Sequence, residues 1–83
     1  MNKKKLLARV ARSPNNVSFN DVRTIAEALG FRLSRVRGSH HVFVRDDIPE
    51  LVNLQNVKGQ AKAYQVRQLL KLVERHNLSL EEE

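Results

Sequence analysis

Gly38, Ser39, His40, His41, Val42 and Phe43 follow one another in the most chemically loaded stretch of the chain. Arg32, Arg35, Arg37 and Arg45 surround the two histidines, and no acidic residue occurs from Phe31 to Arg45. Histidine is the side chain whose unperturbed pKa lies nearest neutrality, so it exchanges protons at cellular pH. Arginine is shaped to hold a phosphate in a bidentate grip. A proton-transfer group inside a strip of arginines is what cleavage of a phosphodiester requires. A plain nucleic-acid-binding strand carries the same residues, so the strip alone leaves both readings open.

Successive residues of a strand point to opposite faces, so only one of the two histidines can face outward. If Phe43 enters the core, His41 shares its face and His40 is exposed with Val42 and Val44. If the valines enter, His41 and Phe43 are the exposed pair. An aromatic ring gains more from burial, which favours His40 as the outward residue. Taken alone, a His-His dipeptide in a strand is more often structural than catalytic.

Other polar groups admit simpler explanations. Asp46, Asp47 and Glu50 have the chemistry to hold a divalent metal. A turn of the type Asp-Asp-X-Pro accounts for them equally well, and no further acid recurs at a matching spacing, so neither metal nor cofactor is expected. His76 follows the basic end of the last helix and reads as a cap interacting with the helix dipole. Lys62, Arg67, Lys71 and Arg75 read as a solvated helix face with the charge to touch RNA. Tyr64, near the start of that helix, is expected to pack as core or cap rather than to stack on a base.

The elements that position these residues follow from pattern. Lys3 to Arg12 reads as a short helix with Leu6, Leu7 and Val10 on one side, ended by Ser13-Pro14-Asn15-Asn16. Ser18 looks like an N-cap with Asp21 three residues on. Phe19, Val22, Ile25, Ala26 and Leu29 then make an apolar face at helical period, and Gly30 sits where a glycine closes a helix. From Phe31 the period changes to two, predicting strands over Phe31–Val36, His40–Arg45 and Leu51–Val57. Asp46 to Pro49 reads as a turn and Lys58-Gly59-Gln60 as a loop. A last helix runs from about Ala61 to His76, with Val66, Leu69, Leu70 and Val73 on its apolar side. Short connections make the strands an antiparallel meander with helices on one face, an α+β fold whose other sheet face is open.

Eighty-three residues make one domain. It divides into a basic helical extension over residues 1–17, a body over 18–78 and an acidic tail over 79–83. The absence of cysteine fits a reducing compartment and removes thiolate chemistry. No apolar run approaches the roughly 18 residues of a membrane span, and no secretory segment follows Met1–Lys5. The expectation is a soluble cytoplasmic protein without a membrane partner. A formal charge of +6 understates the basic body, because Glu81, Glu82 and Glu83 offset part of it. Such a body suggests a polyanion partner, with counterion release supplying much of the affinity.

The motif Gly38-Ser39-His40, with Phe43 three residues after the histidine, resembles the signature of the HicA (YcfA-like) toxins. The third strand and the run Ala63-Tyr64-Gln65-Val66-Arg67-Gln68 are similar to one branch of that family, and the resemblance extends over residues 18–78. It implies a double-stranded-RNA-binding-domain-like fold with a three-stranded antiparallel sheet. It also implies a type II toxin that cleaves mRNA as single-stranded RNA, a catalytic histidine on this strand, and neutralisation by a HicB-type antitoxin. The Gly-Ser-His match maps the family histidine onto His40. Some members carry another residue there with a histidine beside it, so His41 stays as the alternate. Arg37 and Arg45 are the nearest candidates for the phosphate, with Arg35, Ser39, Lys62 and Arg67 as further RNA contacts. Residues 1–17 depart from the family pattern and read as an RNA- or partner-contacting helix. The competing functions are a non-catalytic RNA-binding module of the same fold and an adaptor for an acidic protein.

Overall fold

The computed structural model describes residues 2–80; Met1 and residues 81–83, most of the expected acidic tail, lie outside the described residues. The chain runs α1 (Lys3–Arg12), α2 (Phe19–Ala28), β1 (Arg32–Arg37), β2 (His40–Arg45), β3 (Ile48–Val57), β4 (Gln60–Ala61) and α3 (Ala63–Arg75). The strands form one antiparallel meander in the order β1-β2-β3-β4. From α2 onward this is the helix, strands, helix order of a double-stranded-RNA-binding-domain-like α+β fold.

The helices form where caps and apolar periods coincide. Asn2 caps α1, its side chain accepting from the backbone N–H of Lys4 at 2.9 Å and of Lys5 at 3.2 Å. Leu6 and Val10 bury one side of α1 in the core, and Arg9 pairs with Asp21 of α2 at 2.7 Å. The Ser18 hydroxyl accepts from the Asp21 N–H at 3.1 Å and starts α2. Gly30, at φ 94°, stops it in a conformation that costs glycine little. Val22 and Ile25 from α2, with Leu29 just after it, meet Phe43, Val52 and Leu54 from the sheet and Val66 and Leu69 from α3. Phe43 is 0% exposed, so the ring does take the covered face and fixes the parity of β2.

Three elements differ from the sequence reading. Lys58-Gly59 is a tight turn, not an open loop: both residues have positive φ, as a two-residue type I′ hairpin requires. It folds Gln60–Ala61 back as β4 against Asn56 and Val57, giving the sheet a short fourth strand. The Gly59 carbonyl accepts from Phe19 N–H and the Val17 carbonyl from Ala61 N–H, both at 2.9 Å, so β4 also binds the segment entering α2. The last helix consequently starts at Ala63. β3 begins at Ile48, three residues early. β4 pairs only with Asn56 and Val57, so the strand around Pro49 is an edge, where proline is tolerated.

Candidate functional site

The hairpin that joins β1 to β2 turns at Gly38-Ser39. Gly38 has φ +60° and open space around it, so the turn, not crowding, demands glycine there. The Ser39 carbonyl accepts from the Asn56 N–H at 3.0 Å and fastens the turn to β3. This locked turn sets which side chains share the sheet's open face.

Directly opposed residues of an antiparallel ladder point the same way. Arg37 opposes His40, and His40 opposes Gln55 on β3. One rung along, Arg35 opposes Val42, and Val42 opposes Asn53. Phe43 being buried, the other set carries His40, Arg35, Arg37, Asn53 and Gln55 on the open face. His40 is exposed, as are Arg35 and Arg37. Among the described residues, neither arginine forms an ion pair. The rung therefore offers a titratable ring between a free guanidinium and a carboxamide.

His41 occupies a different environment. Its ring packs against Phe19 of α2, with centroids 4.6 Å apart and planes tilted by 51°. Its Nδ1 lies 3.0 Å from the Ser39 carbonyl. A carbonyl only accepts, so Nδ1 carries a proton and the ring is held in one orientation.

The remaining expected RNA contacts are dispersed. Arg45 shares the parity of His41 and Phe43 and turns to the covered side, away from His40. It donates to the Leu29 carbonyl at 2.7 Å and pairs with Asp47 at 2.8 Å. Its expected partnership with Arg37 around one phosphate does not fit that placement. Ser39 stands in the turn beside His40. Lys62 is exposed at the start of α3, and Arg67 donates to the Asn15 side chain in the loop after α1. Tyr64 is exposed, not packed in the core.

Each acid of the 46–50 cluster meets its own cation. Asp46 pairs with Arg32 at 2.8 Å, Asp47 with Arg45, and Glu50 with both Arg75 at 2.7 Å and His76 at 2.9 Å. The hydrogen bond from Arg75, then that from His76, holds the Glu50 carboxyl below the usual carboxylate range. Among the described residues no three His, Asp or Glu side chains gather as metal ligands would. No described helix is long and apolar enough to cross a membrane.

Gln55 is the open-face neighbour that the sequence reading passed over. The turn alone does not reveal it: Arg45 pairs with Ile48, a register that would set Asn53 opposite His40, and a register shift between Phe43 and Arg45 brings Gln55 there instead.

A family model described as the HicA toxin of bacterial toxin–antitoxin matches residues 19–74, from the first residue of α2 almost to the end of α3. No curated protein and no solved structure matches the chain.

Proposed function

This chain belongs to the HicA family of toxins of bacterial toxin–antitoxin systems, and we propose that it acts as an endoribonuclease on single-stranded messenger RNA. In this reading His40 is the acid–base group. It removes the proton of a ribose 2′-hydroxyl, whose oxygen attacks the adjacent phosphorus while the bond to the 5′ oxygen breaks. The products are a 2′,3′-cyclic phosphate and a 5′-hydroxyl, with the proton passed on through the histidine. Such proton transfer is worth about 10²–10⁴-fold in rate. Arg37, directly across the ladder, and Arg35 steady the charge that builds on phosphorus. Ser39 in the adjoining turn, with Lys62 and Arg67 along α3, extends the contact to flanking phosphates. No step needs a metal, and DNA, lacking the attacking hydroxyl, is spared.

The observation that supports His40 over His41 is the contrast between an exposed ring beside Arg37 and a ring held by Phe19 and the Ser39 carbonyl. The test is cleavage of single-stranded RNA in the presence of a chelator. We expect fragments from the wild type and none from His40→Ala. His41→Ala should instead lower stability, by about 1–3 kcal/mol for a lost ring contact and hydrogen bond. Loss of cleavage in a well-folded His41→Ala, with His40→Ala active, would exchange their roles. Activity that vanishes with chelator and returns with magnesium would overturn the metal-free route. RNA retained without fragments would leave a binding module.

Membership in a toxin–antitoxin family implies an antitoxin partner. We propose one of HicB type that covers the His40 face in the cytoplasm and excludes RNA, its acidic groups drawn by Arg35 and Arg37. The basic residues Lys3, Lys4, Lys5 and Arg12 of α1 supply a further contact for RNA or for this partner. Hydrogen exchange on the complex should protect β1 and β2. Protection confined to the outer surfaces of the helices would rule out direct occlusion.

A further inference from the structure

The rung carrying His40 continues past Gln55 to the start of α3. Gln65 is the one polar side chain buried among the described residues, at 3% exposure. Its Oε1 accepts from the Gln55 backbone N–H at 2.7 Å, at the edge of β3 just beyond its pairing with β4. Its Nε2 donates to Gln55 Oε1 at 3.2 Å and to the Tyr64 hydroxyl at 3.4 Å. One buried amide thus ties the Tyr64 hydroxyl to Gln55, the residue opposite His40. The Gln55 oxygen is engaged, which leaves its Nε2 donors for another acceptor. The Tyr64 hydroxyl is tethered while the residue as a whole stays 53% exposed.

Neighbouring strands lie about 4.8 Å apart. A nucleotide with its phosphate over Arg37 and His40 spans one or two such spacings, enough to bring its base to Gln55 on the next strand. We infer that Tyr64 and Gln55 form a nucleobase subsite beside His40, the phenol ring stacking on the base and the Gln55 amide donating to a carbonyl oxygen or ring nitrogen on its edge. Gln65 is the positioning residue that holds both. The inference rests on the RNA reading above, and it names what in the substrate is read next to the cut bond. Bases stack on aromatic rings whatever their identity. The donor on Gln55 supplies the discrimination.

The test exploits composition: Tyr64 is the sole tyrosine and the chain has no tryptophan, so intrinsic fluorescence reports this site alone. The probe is a short 2′-O-methyl RNA of mixed sequence, which cannot be cut by its own 2′-oxygen. A backbone of the same length without bases is the control. We expect saturable quenching of Tyr64 by the first and none by the second. Binding of the labelled probe should weaken about 5- to 150-fold in Tyr64→Ala, the range for one lost base stack. Tyr64→Phe, which keeps the ring, should recover most of that loss, and Gln55→Ala should flatten the preference for the base beside the cut. Unmodified RNA that is cut while the probe leaves Tyr64 fluorescence and Tyr64→Ala affinity unaltered would overturn the subsite and spare the ribonuclease reading. Quenching by the based probe alone, without cleavage of unmodified RNA, would sustain the subsite and overturn the ribonuclease.

Discussion

At the Asp46–Asp47 end of the sheet, Arg32, Arg45, Arg75 and His76 each meet a carboxylate; at the Gly38–Ser39 end, Arg35, Arg37 and His40 meet none among the described residues. The two ends use the same side chains, and what separates them is local neutralisation. A guanidinium beside a carboxylate has spent most of its field within a few ångströms. One without a partner keeps it for a polyanion. The hairpin turns enforce the division, since Asp-Asp closes one end and Gly-Ser the other. The binding end is thus defined as much by the acids it lacks as by the cations it has.

The largest expected effect tests that division through its histidines. His40→Ala should reduce RNA cleavage by about 10²–10⁴-fold. Its unfolding free energy should stay within about 0.5 kcal/mol of wild type, because an exposed strand side chain contributes little packing. His76→Ala, at the paired end, should leave cleavage rates unchanged. Cleavage assays with thermal melts on both variants decide it. Equal losses of activity in the two would mean that the ends are not functionally distinct.

Arginines sharpen the same comparison with a smaller effect. Arg45→Ala removes a charged hydrogen bond to the Leu29 carbonyl at the end of α2 and should cost about 1.5–3 kcal/mol in denaturant titrations. Arg37→Ala should leave stability alone. It should lower the slope of RNA affinity against salt concentration by about 1, the loss of one phosphate contact. If Arg45→Ala changes that slope as much as Arg37→Ala, the covered side also meets RNA.

Much of this division was legible in the sequence, by different routes. Ser18 with Asp21, the apolar period from Phe19 to Leu29, and Gly30 delimit α2 because cap, face and stop are all local. The burial of Phe43 followed from ring size and ordered the two histidines. The same alternation sends Arg45 to the side of Phe43, a consequence that proximity to His40 in sequence obscured. β4 was hidden for another reason: two residues carry no period, and Lys58-Gly59 lacks the asparagine that usually marks a type I′ turn. Tyr64 and Gln65 were ambiguous because helical period alone does not show that a glutamine takes the buried position and the tyrosine the exposed one. That exchange depends on a free backbone N–H at Gln55, a tertiary feature. The roles of His40 and its neighbours came from the Gly-Ser-His resemblance, not from pattern.

The smallest effect is expected at the paired end, in acid. Glu50 is held below its ordinary value of 4.5 chiefly by the hydrogen bond from Arg75, then by that from His76. A carboxyl whose pKa is lower folded than unfolded contributes stability above the unfolded value and loses it as pH falls through the folded one. The wild type should therefore be the more stable of wild type and Glu50→Gln near neutrality. Their melting temperatures should converge as the pH is taken down past about 4. The site is open to solvent and screened by salt, so the separation should be small and should shrink further at high ionic strength. His40→Ala should leave this acid limb untouched, because no carboxylate among the described residues pairs with His40. Parallel pH curves for wild type and Glu50→Gln would show that Arg75 and His76 do not hold Glu50 in solution. Neutralisation at the paired end would then rest on Arg32 with Asp46 and Arg45 with Asp47 alone.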